Sequence, residues 1–406
     1  MQLKYLNFYK IISQFASNIT GAFIALIVYQ NTNSLAYAFT FVLAELLLRV
    51  VYNIIFRKIY YKYPQIILLL RVVPILLFSL SIFLIDVNLV LGVVMVGIFY
   101  ALQVSFKELP MEIVLNYSAG TGETKGSSMG FTRLLEQVGL LAALILGGLF
   151  LDNWPKWIVI VISIVTYCIS VIPLVMYYVK ERKNPTFNRD AVSNALQAFK
   201  GNKIKNMQER TTRRKLMVSY GITYALVSAI DAIMSVFLIY LFSTGNTAGY
   251  SVAGYIQAAY YGMYGIGYTI QARLYEKKDT TFLCTICAII DAAIICVLPF
   301  VSHIIWLVIV LFGLLGFSYA AIPTLMYARV LPRARIMGIS NEALFARTMG
   351  YQLGAAVPYV FCIFCPLLVG FFVMAGMHCS CGVAIPINEE KNRERLVDYL
   401  QNNRMY

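Results

Sequence analysis

Three carboxylates and one guanidinium interrupt long apolar runs, and they are the residues best placed to do chemistry. Asp231 stands in Ser228-Ala-Ile-Asp231-Ala-Ile-Met, and Asp291 in Ala288-Ile-Ile-Asp291-Ala-Ala. Glu45 and Arg49 lie four residues apart in a third run. Insertion scales put a charge at the centre of a membrane helix at roughly 2.5–3.5 kcal/mol, so such residues face a cavity or a partner rather than lipid. Neither aspartate has a basic residue within a helical turn. A carboxylate at that depth can exchange protons, which is the chemistry of proton coupling. Pairing with a distant arginine, or hydrogen bonding for packing, is the structural alternative. Glu45 and Arg49 share a helix face, either as a fixed intrahelical pair or as a cavity pair that changes partners. Gln14 and Asn18, also four apart, form a polar stripe with Thr20, and Asn18 can face the cavity beside Glu45.

A second set lies nearer the ends of the apolar runs. Lys107, Glu108 and Glu112 surround Pro110, Arg133 and Glu136 follow in the next run, and Glu342 and Arg347 occupy a late one. With Arg57 and Lys58 they read as an inner-gate network of ion pairs, or as charges snorkelling to the interface. Arg71 reads as an interfacial anchor. Tyr260, Tyr264 and Tyr268 are spaced by four and can line one helix face, with Gly262, Gly265 and Gly267 on others. An aromatic stripe suits an amphipathic cargo, or ordinary helix packing.

The elements that must position these residues are membrane helices. The chain has 406 residues, 60% hydrophobic and 13% charged, with mean hydropathy +0.73. A soluble domain carries about twice that share of charge. Twelve apolar segments are each long enough to span a bilayer: Phe8–Tyr29, Leu35–Ile55, Gln65–Ile85, Leu89–Leu115, Met129–Leu151, Ile158–Val179, Leu216–Phe242, Tyr250–Ala272, Thr281–Val301, Ile304–Met326, Ile336–Phe361 and Pro366–Ile387. Lipid satisfies no backbone polar group, so unbroken runs of this length must be helical. Alternating ten-residue segments, the mark of a membrane barrel, are absent. Met1 to Lys10 is short and polar and no small-residue cleavage site follows, so the first run reads as a span rather than a cleaved leader.

Lysine and arginine gather in alternate connections: Arg57, Lys58 and Lys62; Lys125; the central stretch; Arg273, Lys277 and Lys278; and Arg329, Arg333 and Arg335. The other connections hold little beyond Lys156. The positive-inside rule then places both termini in the cytoplasm, in a plasma (cytoplasmic) membrane. Trp154 and Trp157 flank an outer connection, where interfacial aromatics belong. The net charge is +14, and residues 180–215 hold eleven basic and three acidic side chains, a net of 11 − 3 = +8. Beside membrane spans that charge points to anionic lipid headgroups and not to nucleic acid. The organisation reads as a six-helix bundle over 1–180, a basic loop over 181–215 with a surface helix at Arg189–Lys200, a second bundle over 216–388, and a tail over 389–406.

Catalytic chemistry finds no support. The sequence lacks a Walker A loop, a Gly-x-Ser-x-Gly elbow and a His-Glu-x-x-His pair. Cys284-x-x-Cys287, Cys362-x-x-Cys365 and Cys379-x-Cys381 have metal-like spacing, but they fall in apolar spans where cysteine behaves as a small hydrophobe. No metal, cofactor or catalytic residue is expected, and His378 reads as a hydrogen-bonded helix residue.

The two halves are weakly alike. Arg57-Lys-Ile-Tyr60-Tyr-Lys62 follows the second span and Arg273-Leu-Tyr275-Glu-Lys277-Lys278 the eighth; Met129-Gly130 and Met337-Gly338 open the fifth and eleventh; Pro110 and Pro323 lie near the ends of the fourth and tenth. Such repeats are common in secondary transporters. Six plus six helices around a long basic loop resemble the major facilitator superfamily over essentially the whole chain. That family's Gly-x-x-x-Asp-Arg-x-Gly-Arg-Arg loop corresponds to Asn53-Ile-Ile-Phe-Arg57-Lys58-Ile-Tyr-Tyr-Lys62, which keeps the positive charge and lacks the first glycine and the aspartate. The antiporter pattern Gly-x-x-x-Gly-Pro-x-x-Gly-Gly corresponds to Gly139-Leu-Leu-Ala-Ala143-Leu144-Ile-Leu-Gly147-Gly148, with Ala143 for one glycine and no proline. Small residues there also serve plain helix packing. The resemblance implies an all-α monomer of two six-helix bundles working by alternating access. The expected activity is proton-coupled efflux of a small amphipathic or hydrophobic compound. Nutrient uptake, lipid flipping, or a non-transporting partner or sensor role are the alternatives.

Overall fold

The computed structural model describes residues 2–118, 125–183, 207–244, 249–277, 282–325, 334 and 339–404. Twelve helical spans run back and forth. Span 1 is two helices, Gln2–Gly21 and Ile24–Thr32; span 2 is Leu35–Lys62; span 3 is Pro64–Leu70 with Val72–Val87; span 4 is Leu89–Ser118; span 5 is Lys125–Asn153; span 6 is Lys156–Lys183. Span 7 is Met207–Ser228 with Asp231–Ser243; span 8 is Tyr250–Lys277; span 9 is Phe282–Val297; span 10 is Ile305–Tyr319 with Ala321–Leu325; span 11 is Ser340–Phe364; span 12 is Leu367–Arg404. The surface helix expected at Arg189–Lys200 lies outside the described residues, as do Met337 and Gly338 and the basic residues Lys278, Arg329, Arg333 and Arg335.

Local chemistry sets the turns. Asn33 takes a left-handed conformation at φ 50°, which asparagine tolerates, and closes span 1. The Ser34 hydroxyl then accepts from Tyr37 N at 3.4 Å to open span 2. Asn88 Oδ1 accepts from Leu91 N at 3.1 Å at the start of span 4. Trp154 and Trp157 are exposed at the turn between spans 5 and 6.

Nine helices of the described residues are long and apolar enough to cross a membrane by length and composition. Spans 8, 9 and 11 are the others. Span 9 has a helix of 16 residues. Spans 8 and 11 are polar because they face protein: span 8 packs along span 5, and span 11 along span 2. These two contacts join the halves and are counterparts in the repeat. Within each half the same pairs recur, span 1 on 5 and 6 as span 7 on 11 and 12, and span 2 on 4 as span 8 on 10. Breaks recur too. Span 1 interrupts at Ala22 and Phe23, with Phe23 N bonded to Thr20 O at 3.0 Å; span 7 interrupts at Ala229 and Ile230, with Ile230 N bonded to Val227 O at 3.3 Å. Such tightened turns inside a membrane helix mark hinges or sites.

Glycines let the inner helices touch backbone to backbone. A Cβ on Gly139 would lie 2.2 Å from Ile11 O, and one on Gly147 2.5 Å from Ile19 O, both on span 1. Gly350 and Gly354 press likewise on span 7, at 2.1 Å from Gly221 O and 1.9 Å from Ala225 O. Gly148 meets Tyr250 O of span 8 at 2.5 Å. We expect Gly354→Val to lower the thermal unfolding midpoint of purified protein, with overpacking costing about 1–3 kcal/mol. Gly376→Ala, where no atom lies within 4 Å, should leave the midpoint unchanged or raise it, because alanine favours helix.

Candidate functional site

A cavity of about 450 Å³ lies between the halves. Spans 1, 2, 3, 4 and 5 supply one wall and spans 7, 8, 10 and 11 the other. Most of the residues singled out by type and spacing meet here: Gln14, Asn18, Glu45, Arg49, Lys107, Glu108, Glu112, Glu136, Asp231, Tyr260, Tyr264 and Arg347 all line it.

The first half carries a continuous charge network. Arg49 Nε donates to Glu45 one turn away, and Arg49 Nη1 lies 3.5 Å from Glu108 on span 4. The guanidinium also sits over the Tyr100 ring at 5.6 Å. Glu136 pairs with Lys10 at 2.7 Å and with Lys107 at 3.6 Å, and Lys107 donates to Gln14. Lys10 is 1% exposed; its place at the start of the first apolar run gave no hint of this. The Lys107–Glu136 pair therefore braces spans 4 and 5 within one half instead of gating between halves.

The second half contributes Asp231 at the first residue of its half-helix. Tyr319 OH donates to its Oδ2 at 2.8 Å. Asp291 does not reach the cavity. It is buried between spans 9, 10 and 12, takes a hydrogen bond from Ser318, and has His378 Nε2 2.9 Å from its Oδ2, both side chains 0% exposed. No basic residue lies within a helical turn of Asp291 in the chain, and the group that meets it, His378, comes from 87 residues away, in line with the structural alternative of hydrogen bonding for packing. Tyr268 is buried against Tyr264, with ring centroids 6.0 Å apart, and is not on the wall; Tyr261 is. Arg71 is likewise no interfacial anchor. It is 1% exposed and lines the cavity where Pro74 breaks span 3.

Contacts between the halves cross the cavity at both ends. At the end carrying Arg57 and Lys58, Glu112 pairs with Arg347 at 3.7 Å. Tyr61 OH donates to Asn341 O at 3.1 Å, and the Arg57 guanidinium lies 4.3 Å from the Phe345 ring centre. Deeper, Gln352 accepts from Asn53 at 3.1 Å and donates to Glu108 at 3.2 Å. Lys58 is exposed, Glu342 is buried beside Asn341, and the Arg133 side chain lies outside the described residues. At the opposite end, Asp152 accepts from Tyr250 N and Ser251 N, each at 2.8 Å, capping span 8 from the other half. Tyr250 OH donates to Gln30. Gly139, Gly147 and Gly148 hold span 5 against spans 1 and 8, between these latches.

The amides Gln103, Gln137, Gln257 and Gln352 were equally visible mid-span in the sequence. Helix rotation decides that the first three line the cavity and the fourth bridges the halves. Among the described residues no group of three His, Cys, Asp or Glu could hold a metal ion.

The sequence profile of the Major Facilitator Superfamily matches residues 6–359. The chain belongs to that family. Its members are transporters rather than enzymes, and this chain is a multi-pass membrane transporter. No curated protein sequence matches it. Among solved structures, the crystal structure of the E. coli fucose:proton symporter FucP is similar, with a TM-score of 0.56 at 12% identity over 95% of this chain and 97% of that one. The likeness establishes the fold of two six-helix bundles.

The buried network gives a stability test. Glu136→Leu should destabilise the purified protein by about 3–5 kcal/mol, the cost of leaving the buried Lys10 and Lys107 without their shared carboxylate. Lys10→Met combined with Glu136→Leu should recover part of that loss in the same thermal or denaturant unfolding measurement.

Proposed function

We propose that this chain is a proton-coupled secondary transporter that exports a small amphipathic compound by alternating access, as a monomer in the cytoplasmic membrane with both termini inside. The observation that carries this reading is Asp231: a cavity-lining carboxylate with no ion pair among the described residues, at a helix break, held by Tyr319. A group in that position can take a proton from either side as the cavity changes its opening. Glu45 is held by Arg49, and Asp291 by His378 and Ser318, so neither is as free to load and release a proton. Tyr260, Tyr261 and Tyr264 give the second half an aromatic wall for the apolar part of a cargo.

Alternating access is supported by the two latches. The Glu112–Arg347 pair and the Tyr61–Asn341 bond close one end, and the Asp152 cap on span 8 closes the other. Each is small enough to break while the glycine-packed spans move as units. Export is the direction favoured by the Gly139 to Gly148 pattern; proton coupling on this architecture is the activity named for FucP. The amide-rich wall, with Gln14, Asn18, Gln103, Gln137 and Gln257, favours a second reading in which a polar nutrient is taken up.

Two experiments test this. Reconstituted vesicles with an imposed pH gradient and a mixed panel of amphipathic and polar compounds, read by mass spectrometry, should show gradient-driven movement that Asp231→Asn abolishes. Normal movement by Asp231→Asn with unchanged dependence on the gradient removes the coupling assignment, and movement of polar compounds alone supports the second reading. For the latches, Asp152→Ala should raise labelling of Ser235→Cys in the cavity by an impermeant thiol reagent applied from the Trp154 side. Glu112→Gln should raise it from the Arg57 side.

A further inference from the structure

We propose that Arg71 is the anchor for an anionic head group, a carboxylate, on the cargo. This rests on reading the central cavity as the cargo site, and it names the class of molecule that fits there.

Every other charge on the first-half wall has an opposite charge in contact. Arg49 holds Glu45 and Glu108, Glu136 holds Lys10 and Lys107, and Glu112 is met by Arg347. Arg71 alone is left over: no carboxylate of the described residues lies within ion-pair distance. Its Nε donates to Gln103 O at 3.0 Å and its Nη2 to Gln103 Oε1 at 2.8 Å. The guanidinium lies 5.4 Å from the Tyr167 ring centre. Nη1 is buried and makes no hydrogen bond of normal length among the described residues, and the neighbour on that side that interacts with the guanidinium, Tyr167, is a neutral phenol.

Arginine keeps its charge at any physiological pH, so it cannot escape burial by losing a proton. A buried cation without a counter-ion is costly, and an unmade hydrogen bond on it adds to that cost. A carboxylate meets both needs, because its two oxygens match the guanidinium fork. A purely structural Arg71 would staple the break in span 3 to Gln103 of span 4 and to Tyr167 of span 6, but neither contact supplies a negative charge. The apolar part of such a cargo would lie against Tyr100 and the tyrosines of span 8 across the cavity. Asp231, the other lining charge without an ion pair, stands on the opposite half, so the proton and the anion would use separate groups.

Phenylbutyrate, phenylbutyramide and phenylbutylamine share one body and differ in the head group. Added to the purified full chain, phenylbutyrate should raise the thermal unfolding midpoint in a dose-dependent way, and the amide and amine should not. Gln103→Glu places a carboxylate where Gln103 Oε1 already meets Arg71. That variant should raise the midpoint of the protein alone and abolish the response to phenylbutyrate. Arg71→Lys should shift the phenylbutyrate response to about tenfold higher concentration, as expected for losing a bidentate charge-assisted bond. Equal stabilisation by all three probes, none by any, or an undiminished phenylbutyrate response in Gln103→Glu overturns the assignment. The reading of the chain as a proton-coupled transporter is decided separately by the Asp231→Asn vesicle assay, whose outcome does not depend on Arg71.

Discussion

A bilayer interior offers no counter-ion and no water, so each charge carried into it must be matched from within the protein or opened to a cavity. That constraint organises this structure. The charged side chains of spans 1, 2, 4 and 5 close into pairs: Glu45 and Glu108 on Arg49, and Lys10 and Lys107 on Glu136. The pairs pin four helices of the first half to one another. They also leave two lining charges without an opposite charge in contact, Arg71 on the first half and Asp231 on the second. Where pairing is complete a charge serves the fold; where it is incomplete the charge is available to cargo or protons.

Such pairing requires the polar spans to come close, and glycine makes that possible. Gly139 and Gly147 let span 5 press on span 1, and Gly350 and Gly354 let span 11 press on span 7. The same relation in both halves follows from the repeat. Spans 8 and 11 can then be too polar for lipid, because their neighbours across the interface are spans 5 and 2. The helix breaks before Ile24 and Asp231 also correspond, and both lie beside the cavity.

Beside the packing of span 8 on span 5 and of span 11 on span 2, the halves meet at the ends of the cavity through a few varied polar contacts. One end has an ion pair, a tyrosine hydrogen bond and a cation over a ring; the other has a carboxylate capping a helix of the opposite half. Each is of the kind that forms and breaks as rigid bundles rock. The Asp291–His378–Ser318 cluster differs: it is sealed inside the second half, where spans 9, 10 and 12 meet. Its role there is to satisfy buried groups mutually and tie the three helices together.

Much of the architecture was legible in the sequence, because the cost of exposing backbone to lipid forces long apolar runs into helices. Twelve spans follow from that, while the alternation of basic connections follows from the positive-inside rule, and the family resemblance was read from the two together. Glu45 and Arg49 were legible as a pair, since a spacing of four fixes one face of a helix. Asp231 stood out by its depth, but its bond to Tyr319 joins residues 88 apart. Asp291 stood out equally and went elsewhere, because the rotation of span 9 turns it toward His378. Arg71 looked like an interface residue and Lys10 drew no reading of its own, because distance from a span end is all a sequence reports about depth. Packing of one helix on another decided that both are buried, that Lys10 has Glu136, and that Arg71 faces the cavity without a carboxylate. The sequence by itself determined a twelve-helix membrane transporter; only the tertiary structure decided which of its charges are matched, because the matching partners lie on other helices.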